Sequence, residues 1–360
     1  MIIVDGHQDI AWNYFQNRRD FRRSAHDQRR RETDPVHLRR YGRCMVGLPE
    51  ALEAHVAVMV VSIFVSPSNR KMYPDETILY DTPEEACRLG TQQLDYYHRL
   101  AEQDEQIQLI LAQRDLDAVL ATWEEDRLEE DHRIGLVISM EGADPILEPA
   151  EIEKWRARGL RAIGPAWSAT RYSGGTKAPG PLTDLGRELL ASMREFGMIL
   201  DLAHMDPNAC LEALDRYDGP LYASHANPLR FRQDRVDRNL SDTIIQLIAE
   251  RDGVVGIMPY NLFLIEGWER GDHKDAASMA NVVAAIDHVC QLTGSARHVG
   301  IGSDFDGGFG SESAPEDFDT IADLRQIEPA LTARGYPPED IEAVLSGNFL
   351  RVLRAGLPAE

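Results

Sequence analysis

Short apolar runs recur along the chain and alternate with longer stretches whose apolar residues have helical spacing. Eight of these runs are almost continuously apolar, which is typical of parallel strands that are buried on both faces. They are IIVDGH at the start, HVAVMVVSIFV from His55, IGLVISMEG from Ile134, LRAIGPAW from Leu160, GMILDLAH from Gly197, GPLYASH from Gly219, DGVVGIMPY from Asp252 and HVGIGSDFDG from His298.

The stretches between the runs predict amphipathic helices. Four of them are DLGRELLASMREF, DPNACLEALDRY, SDTIIQLIAERD and MANVVAAIDHVCQL, and the second and third begin with typical helix-capping residues. Eight strands alternating with helices predict an α/β protein with a (β/α)8 TIM barrel, as a single domain over residues 1–360. Extra helices are expected to close the C-terminal end over residues 318–360. A doubly wound sheet would need a glycine-rich phosphate loop after an early strand, and the sequence has none.

Two segments are predicted as loops on the barrel face that carries active sites in this fold. Residues 18–43 follow the first strand and contain ten arginines, whereas residues 168–183 follow the fourth strand and are rich in Gly, Pro, Ser and Thr. Four interpretations of the arginine-rich segment stay open. It can act as a lid, attract anionic substrates, pack against a second subunit, or simply form a solvated loop.

The charge and cysteine content exclude several classes of protein. A formal net charge of −22 argues against nucleic acid or an anionic membrane surface as the main partner. No apolar run reaches the roughly 18 residues of a membrane span, and no signal peptide precedes the first strand. The four cysteines are far apart in the sequence, so neither a disulfide framework nor a thiolate zinc site is indicated. We therefore expect a cytoplasmic protein with reduced thiols.

Six imidazole and carboxylate side chains follow five of the predicted strands. They are His7 and Asp9 after the first strand, Glu141 after the third, His204 after the fifth, His225 after the sixth and Asp304 after the eighth. A parallel barrel brings the C-terminal ends of all its strands to one rim, so these side chains are expected to converge. Imidazole nitrogen and carboxylate oxygen are ligands of zinc and related divalent ions.

Each of these residues also has a structural explanation when it is considered alone. Glu141 can cap a helix, and Asp304 can cap the turn in SDFDG. Uncompensated carboxylates at the ends of apolar strands are costly, however, so the six together favour a metal centre. We expect the remaining histidines to be solvated or structural; they are His26, His37, His55, His98, His132, His273, His288 and His298.

The order of the motifs resembles that of the membrane dipeptidase (renal dipeptidase) family, peptidase family M19 of the amidohydrolase superfamily. The motifs are DGHQD, EGAD, LDLAHM, ASHANP, RNLSD, HVGIGSDFDG and GNFLRVL, and they span nearly the whole chain. The resemblance implies two divalent metal ions, expected to be Zn²⁺, at the mouth of the barrel. His7, Asp9 and Glu141 would hold one ion, and Glu141, His204 and His225 would hold the other.

The resemblance further implies a zinc-dependent dipeptidase that hydrolyses dipeptides, including those with a C-terminal D-residue. Asp304 would act as the acid/base, taking a proton from a metal-bridging water and passing it to the leaving amine. Arg238, in RNLSD, would bind the terminal carboxylate of the substrate, although from the residues alone it reads as a surface arginine. Its neighbours Arg230, Arg232 and Arg235 compete for that assignment.

Trp167 departs from the pattern of the renal enzymes, which carry a substrate-contacting histidine after strand four. The indole N–H can donate a hydrogen bond but cannot accept a proton, so one electrostatic stabiliser is absent or replaced. We interpret Trp167, in GPAWSAT, as a wall of the substrate pocket.

Two other functions stay open beside the dipeptidase. One is a related metal-dependent amidohydrolase that acts on N-acyl amino acids, cyclic amides or lactones, which Trp167 and the arginine-rich segment favour. The other is a metal-binding barrel without turnover, against which the complete set of six residues argues. The resemblance implies a small, dipeptide-like substrate as the partner and is compatible with a homodimer.

Overall fold

Eight parallel strands close into a barrel in the computed structural model, which describes residues 1–124 and 127–359. The ends of the predicted ranges 1–360 and 318–360 therefore include residue 360, which lies outside the described residues. The strands are β1 (Ile3–Gln8), β2 (Val56–Phe64), β3 (Ile134–Glu141), β4 (Leu160–Gly164), β5 (Ile199–Asp201), β6 (Leu221–Ala223), β7 (Val254–Ile257) and β8 (Val299–Ile301). Pairing of Asp5 on β1 with Ile301 on β8 closes the barrel. The predicted (β/α)8 fold and its eight strands are confirmed.

Helices surround the barrel, and the four predicted from periodicity are present as Asp184–Glu195, Pro207–Arg216, Asp242–Glu250 and Met279–Thr293. The first three begin at the side chains of Thr183, Asp206 and Ser241, each of which accepts a hydrogen bond from a backbone amide of the first turn. Other helices in the described chain are Ile10–Asn17, Leu48–Glu53, Pro83–Gln103, Gln113–Ala121, Ile152–Ala157 and Asn261–Leu264.

The C-terminal segment packs as a succession of short helices, as predicted. These are the 3₁₀ helix Ile321–Gln326, the α-helices Ile327–Arg334 and Pro338–Glu342, the π-helical turn Ala343–Gly347 and the α-helix Asn348–Gly356. Shorter 3₁₀ turns lie at Ser68–Arg70, Glu129–Asp131, Pro149–Glu151, Leu229–Phe231, Lys274–Ala276 and Ala296–His298. In the part of the chain that the structure describes, no helix combines the length and the apolar character needed to cross a bilayer.

Both segments predicted as plain loops contain regular structure, so those predictions are wrong in part. Residues 18–43 include the helices Ala25–Arg31 and Pro35–Tyr41, which begin at the capping side chains of Ser24 and Asp34. Residues 168–183 include a hairpin of Ser173–Gly175 and Ala178–Leu182. These elements are three to seven residues long, which is too short for a clear periodic pattern, so turn residues dominated the sequence signal. Three further short strands are Ser66–Pro67, Leu79–Tyr80 and Ile107–Leu109.

Ion pairs hold the arginine-rich segment 18–43 against the rest of the molecule. Arg29 Nη1 lies 2.8 Å from Asp319, and Arg40 Nη1 lies 2.6 Å from Asp75. Among the described residues that line the main cavity, none comes from this segment. Arg29 and Arg40 thus contact acidic loops of the same chain rather than the cavity.

The strands approach each other most closely beneath the rim, around the carbonyl of Ser224. A Cβ atom on Gly302 would lie 1.8 Å from that oxygen, and one on Gly256 would lie 1.9 Å from it. Only glycine therefore allows β7, β8 and the end of β6 to meet at this distance.

Replacement of Gly302 by alanine is expected to lower the free energy of unfolding by about 2 kcal/mol or more, because overpacking forces the backbone apart. Urea denaturation measures the loss. Gly347→Ala is the matched control, since a Cβ there would meet its nearest atom at 3.6 Å in helical backbone. Similar losses in both variants would contradict the close approach.

Candidate metal centre and substrate cavity

His7 lies buried at the end of β1, and neither of its ring nitrogens has a hydrogen-bond partner. Its Nε2 atom is instead surrounded by three carboxylates from three strand ends. Asp9 Oδ1 and Glu141 Oε2 each lie 3.6 Å from it, and Asp304 Oδ1 lies 3.9 Å from it. These distances exceed those of hydrogen bonds and leave space between the ring and the oxygens.

The other oxygen of Glu141 faces two further histidines. His204 Nε2 lies 3.1 Å from Glu141 Oε1, and His225 Nε2 lies 3.5 Å from the same atom. The two Nε2 atoms are 3.1 Å apart. One oxygen of Glu141 therefore faces His7, and the other faces His204 and His225.

The rings of His204 and His225 are oriented by hydroxyl groups on their remote nitrogens. Thr176 Oγ1 lies 2.9 Å from His204 Nδ1, and Ser224 Oγ lies 2.7 Å from His225 Nδ1. Bonds of this kind fix the orientation and tautomer of a histidine ligand and leave its other nitrogen free. His204 also has a left-handed backbone with φ of 67°, which is strained for a residue other than glycine and is common at functional sites.

Burial and neighbouring charges shift the pKa values of Glu141, His7 and Asp304. Loss of solvent raises the pKa of Glu141 to about 8, even though His7 opposes the shift. Burial alone would lower the pKa of His7, but the carboxylates of Glu141 and Asp9 outweigh it and raise the pKa to about 10. Burial also raises the pKa of Asp304 well above its ordinary value. The cluster is thus an excess of buried negative charge that a cation would compensate.

Burial lowers the pKa of His204 and His225 well below the ordinary value, so both rings are neutral and carry a free lone pair. Neutral imidazole and carboxylate are the forms that bind divalent ions. Three groups have ligand atoms that all lie within 4.8 Å of one another: Glu141 with His204 and His225, His7 with Asp9 and Asp304, and His7 with Asp201 and His225. The residues present therefore fit a divalent metal centre.

A cavity of about 620 Å³ opens above this cluster and includes Asp9, Glu141, His204 and Asp304 in its wall. Trp167 also lines it, with its ring 5.0 Å from that of Phe64. Residues 69–73, the hairpin tip, and Arg235, Asp237 and Arg238 also line the mouth.

Arg238 is buried in the cavity wall and is not a surface arginine. Its Nη2 atom donates to the carbonyl of His225 at 2.7 Å, and its guanidinium stacks 5.2 Å above the ring of Phe263. Its Nε and Nη1 atoms have no hydrogen-bond partner. Arg232, by contrast, is ion-paired with Asp234 and donates to backbone carbonyls. Of the competing arginines, only Arg235 shares the cavity with Arg238.

The sequence pattern of the membrane dipeptidase family, peptidase family M19, matches residues 1–357. The chain belongs to this family. The predicted resemblance is confirmed, and so is the prediction of a metal-dependent dipeptidase-type hydrolase.

Relatives of this membrane dipeptidase family member include the dipeptidase aclJ of Aspergillus oryzae, 28% identical over 360 residues that cover 98% of this chain and 77% of the relative. A Klebsiella pneumoniae protein described only by its position 5′ of pqqA is 30% identical over 239 residues, which are 64% of this chain and 84% of the relative. The fold is similar to that of a Rhodobacter sphaeroides metallopeptidase crystallised with a phosphinate mimic of L-Ala-D-Ala. The TM-score is 0.79 at 21% identity, and 99% of each chain is covered.

Asp201, at the end of β5, is a site residue that the sequence analysis missed. One of its oxygens lies within 4.8 Å of nitrogens on both His7 and His225. The carboxylate accepts hydrogen bonds from the backbone amides of Ala203 and Ser224 at 3.0 and 2.9 Å. It therefore links β5 to the loop that carries His225. Its place in the LDLAHM motif, three residues before His204, was the available signal.

Asp306 is a second missed residue, two positions after Asp304. Its carboxylate accepts hydrogen bonds from the backbone amides of Met45 and Val46 at 2.9 to 3.1 Å. The buried guanidinium of Arg19 lies 3.1 Å from it. Asp304 and Asp306 both have left-handed backbone, with φ of 51° and 67°. The arginine-rich segment thus anchors the strained turn that presents Asp304 to the cavity.

Asp306→Asn is expected to lower the free energy of unfolding by about 2 kcal/mol, because it removes one of the two carboxylates that pair with the buried Arg19, the other being Glu32 at 2.6 Å, and leaves buried backbone amides with a poorer acceptor. The control is Asp27→Asn in the same segment, whose partner Arg30 has 70% of its side chain exposed. The control is expected to cost less than about 0.5 kcal/mol. Denaturant titration of both variants gives the comparison, and equal losses would refute the anchoring role.

Proposed function

We propose that the protein is a zinc-dependent dipeptidase with two Zn²⁺ ions at the barrel mouth. His7, Asp9 and Glu141 would hold one ion, and Glu141, His204 and His225 would hold the other. The observation that carries the proposal is the position of Glu141, whose Oε2 faces His7 and whose Oε1 faces His204 and His225. A carboxylate in that position has the geometry to serve two ions at once.

When bound, such ions polarise the scissile carbonyl and lower the pKa of water toward neutrality. The remaining work falls to the protein's own side chains. Asp304 lines the cavity beside the cluster and is held on a strained turn. Its carboxylate takes the proton from the attacking water and delivers it to the nitrogen of the leaving amine, as a general base and then a general acid.

Arg238 holds the free carboxylate of the substrate in this proposal. Its Nε and Nη1 atoms lack partners, so a carboxylate would find two donors and an opposite charge. Because the guanidinium is buried and its Nη2 is bonded to the carbonyl of His225, its position is rigid. A fixed anchor close to the cluster selects short peptides. The phosphinate dipeptide mimic in the Rhodobacter sphaeroides relative supports a dipeptide, with a D-residue accepted at the C-terminus.

Removal of metal by a chelator is expected to abolish hydrolysis of a dipeptide panel that includes L-Ala-D-Ala, and added zinc should restore it. Zinc content per chain, measured by mass spectrometry on the same samples, should rise to about two with activity, as expected for a two-ion site. Absence of turnover for every dipeptide by the zinc-loaded protein would contradict the proposal.

Arg238→Met is expected to lower kcat/KM for L-Ala-D-Ala by about a hundredfold, since a buried charge-assisted pair is worth roughly 1.5–3 kcal/mol. The same substitution should change kcat/KM for the dipeptide amide only slightly, because that substrate lacks the carboxylate. The control is Arg230→Met, because Arg230 is exposed and lies outside the cavity wall. Equal losses on dipeptide and dipeptide amide would assign Arg238 a structural role.

Hydrolysis of N-acyl amino acids is the second candidate function. Such substrates keep the carboxylate that Arg238 would hold, and the aromatic wall of Trp167 and Phe64 suits an acyl chain. Lactones lack that carboxylate and fit this anchor less well. The same zinc-loaded protein, assayed on N-acyl amino acids and lactones beside dipeptides, discriminates between the candidates.

A further inference from the structure

The mouth of the cavity is positively charged, although the chain as a whole carries a net charge of −22. Two carboxylates line the cavity outside the metal cluster, those of Asp237 and Glu269. Both are already engaged, because Asp237 accepts a bond from a backbone amide and Glu269 lies 2.7 Å from Arg232. Six cationic side chains line the same cavity: Arg70, Lys71, Lys177, Arg235, Arg238 and Arg270.

Lys177 stands out among these cations by its position. It lies at the tip of the hairpin formed by Ser173–Gly175 and Ala178–Leu182, with a left-handed φ of 58°. Its backbone amide donates to Asp237 Oδ2 at 2.9 Å, and the hydroxyl of the preceding Thr176 donates to the carbonyl of Asp237 at 3.2 Å. The hairpin tip is thereby tied to the residue directly before Arg238.

The ammonium group of Lys177 has no ion-pair partner among residues 1–124 and 127–359, and the side chain is exposed at the mouth. Arg270 differs, because it donates to the carbonyls of Arg40 and Gly308 and to the hydroxyl of Tyr73. Its charge serves to join loops. Lys177 is therefore a cation with a fixed backbone and a free head group, on the same side of the cavity as Arg238.

We propose that the cavity selects dipeptides whose C-terminal residue is acidic, with Lys177 pairing to the side-chain carboxylate. The proposal rests on the proposed function, in which Arg238 holds the main-chain carboxylate of that same residue. The side chain beside that carboxylate then lies next to the hairpin tip. The other cations at the mouth add a positive potential that favours an anionic substrate over a neutral one of equal size.

The test compares Ala-Asp with Ala-Asn, which have nearly the same shape and differ in one charge, each with an L- or a D-residue at the C-terminus. Wild-type kcat/KM is expected to favour Ala-Asp by about five- to tenfold at low ionic strength, as an exposed pair allows. The preference should shrink in 1 M salt, where the Debye length is about 3 Å. A wild-type ratio near one at low salt would overturn the proposal.

Lys177→Gln is expected to remove most of the preference, chiefly by raising KM for Ala-Asp. Glutamine would adopt the same left-handed backbone conformation as lysine, so the backbone strain at this position is expected to be the same in both proteins. Lys154→Gln is the control, since Lys154 is an exposed helical lysine paired with Glu151, and it should keep the wild-type ratio. Retention of the full preference in Lys177→Gln would overturn the role of Lys177.

If the protein is not a dipeptidase, the result is different: neither Ala-Asp, Ala-Asn nor L-Ala-D-Ala is hydrolysed. In that case calorimetric binding of Ala-Asp and Ala-Asn to the zinc-loaded protein decides the selectivity. Tighter binding of Ala-Asp that weakens in Lys177→Gln would support the inference, and equal binding would overturn it.

Discussion

The site depends on the buried carboxylate of Glu141, which has one oxygen facing His7 and the other facing His204 and His225. Burial makes such a charge expensive unless cations or hydrogen-bond donors surround it. The barrel meets this demand by bringing four strand ends to one point. The rest of the rim then has to hold the imidazoles and carboxylates at distances that a pair of divalent ions can use.

A second set of buried carboxylates supplies that rigidity by joining neighbouring strand ends. Asp5 on β1 accepts bonds from the amide and hydroxyl of Ser303 after β8, at 2.7 and 2.6 Å. Asp201 joins β5 to the amide of Ser224 after β6. Asp306 joins the turn after β8 to the segment after β1. The links made by Asp5 and Asp306 join segments that are 298 and 261 positions apart in the sequence. Displacement of one strand end would therefore disturb the donors of the next.

The cationic side chains form two groups with different surroundings. One group lies in residues 18–43, and the other lines the cavity. Within residues 18–43, Arg19, Arg29 and Arg40 pair with acidic residues elsewhere in the chain and act as anchors. The cations at the cavity come from other loops. Of the four interpretations of the arginine-rich segment, direct attraction of substrate therefore receives least support from its contacts.

The sequence by itself determined the eight strands, the barrel and the convergence of His7, Asp9, Glu141, His204, His225 and Asp304. This was readable because parallel strands buried on both faces leave nearly continuous apolar runs, and the polar residues that end them share one rim. Only the tertiary structure decided that Asp201 and Asp306 brace that rim, that Arg238 is buried with free donors, and that the backbone of Lys177 is bonded to Asp237 at the same cavity. Those contacts depend on strand register and loop path across as many as 287 positions, as between Arg19 and Asp306. No local periodicity encodes such pairings, because each depends on a partner that lies elsewhere in the sequence.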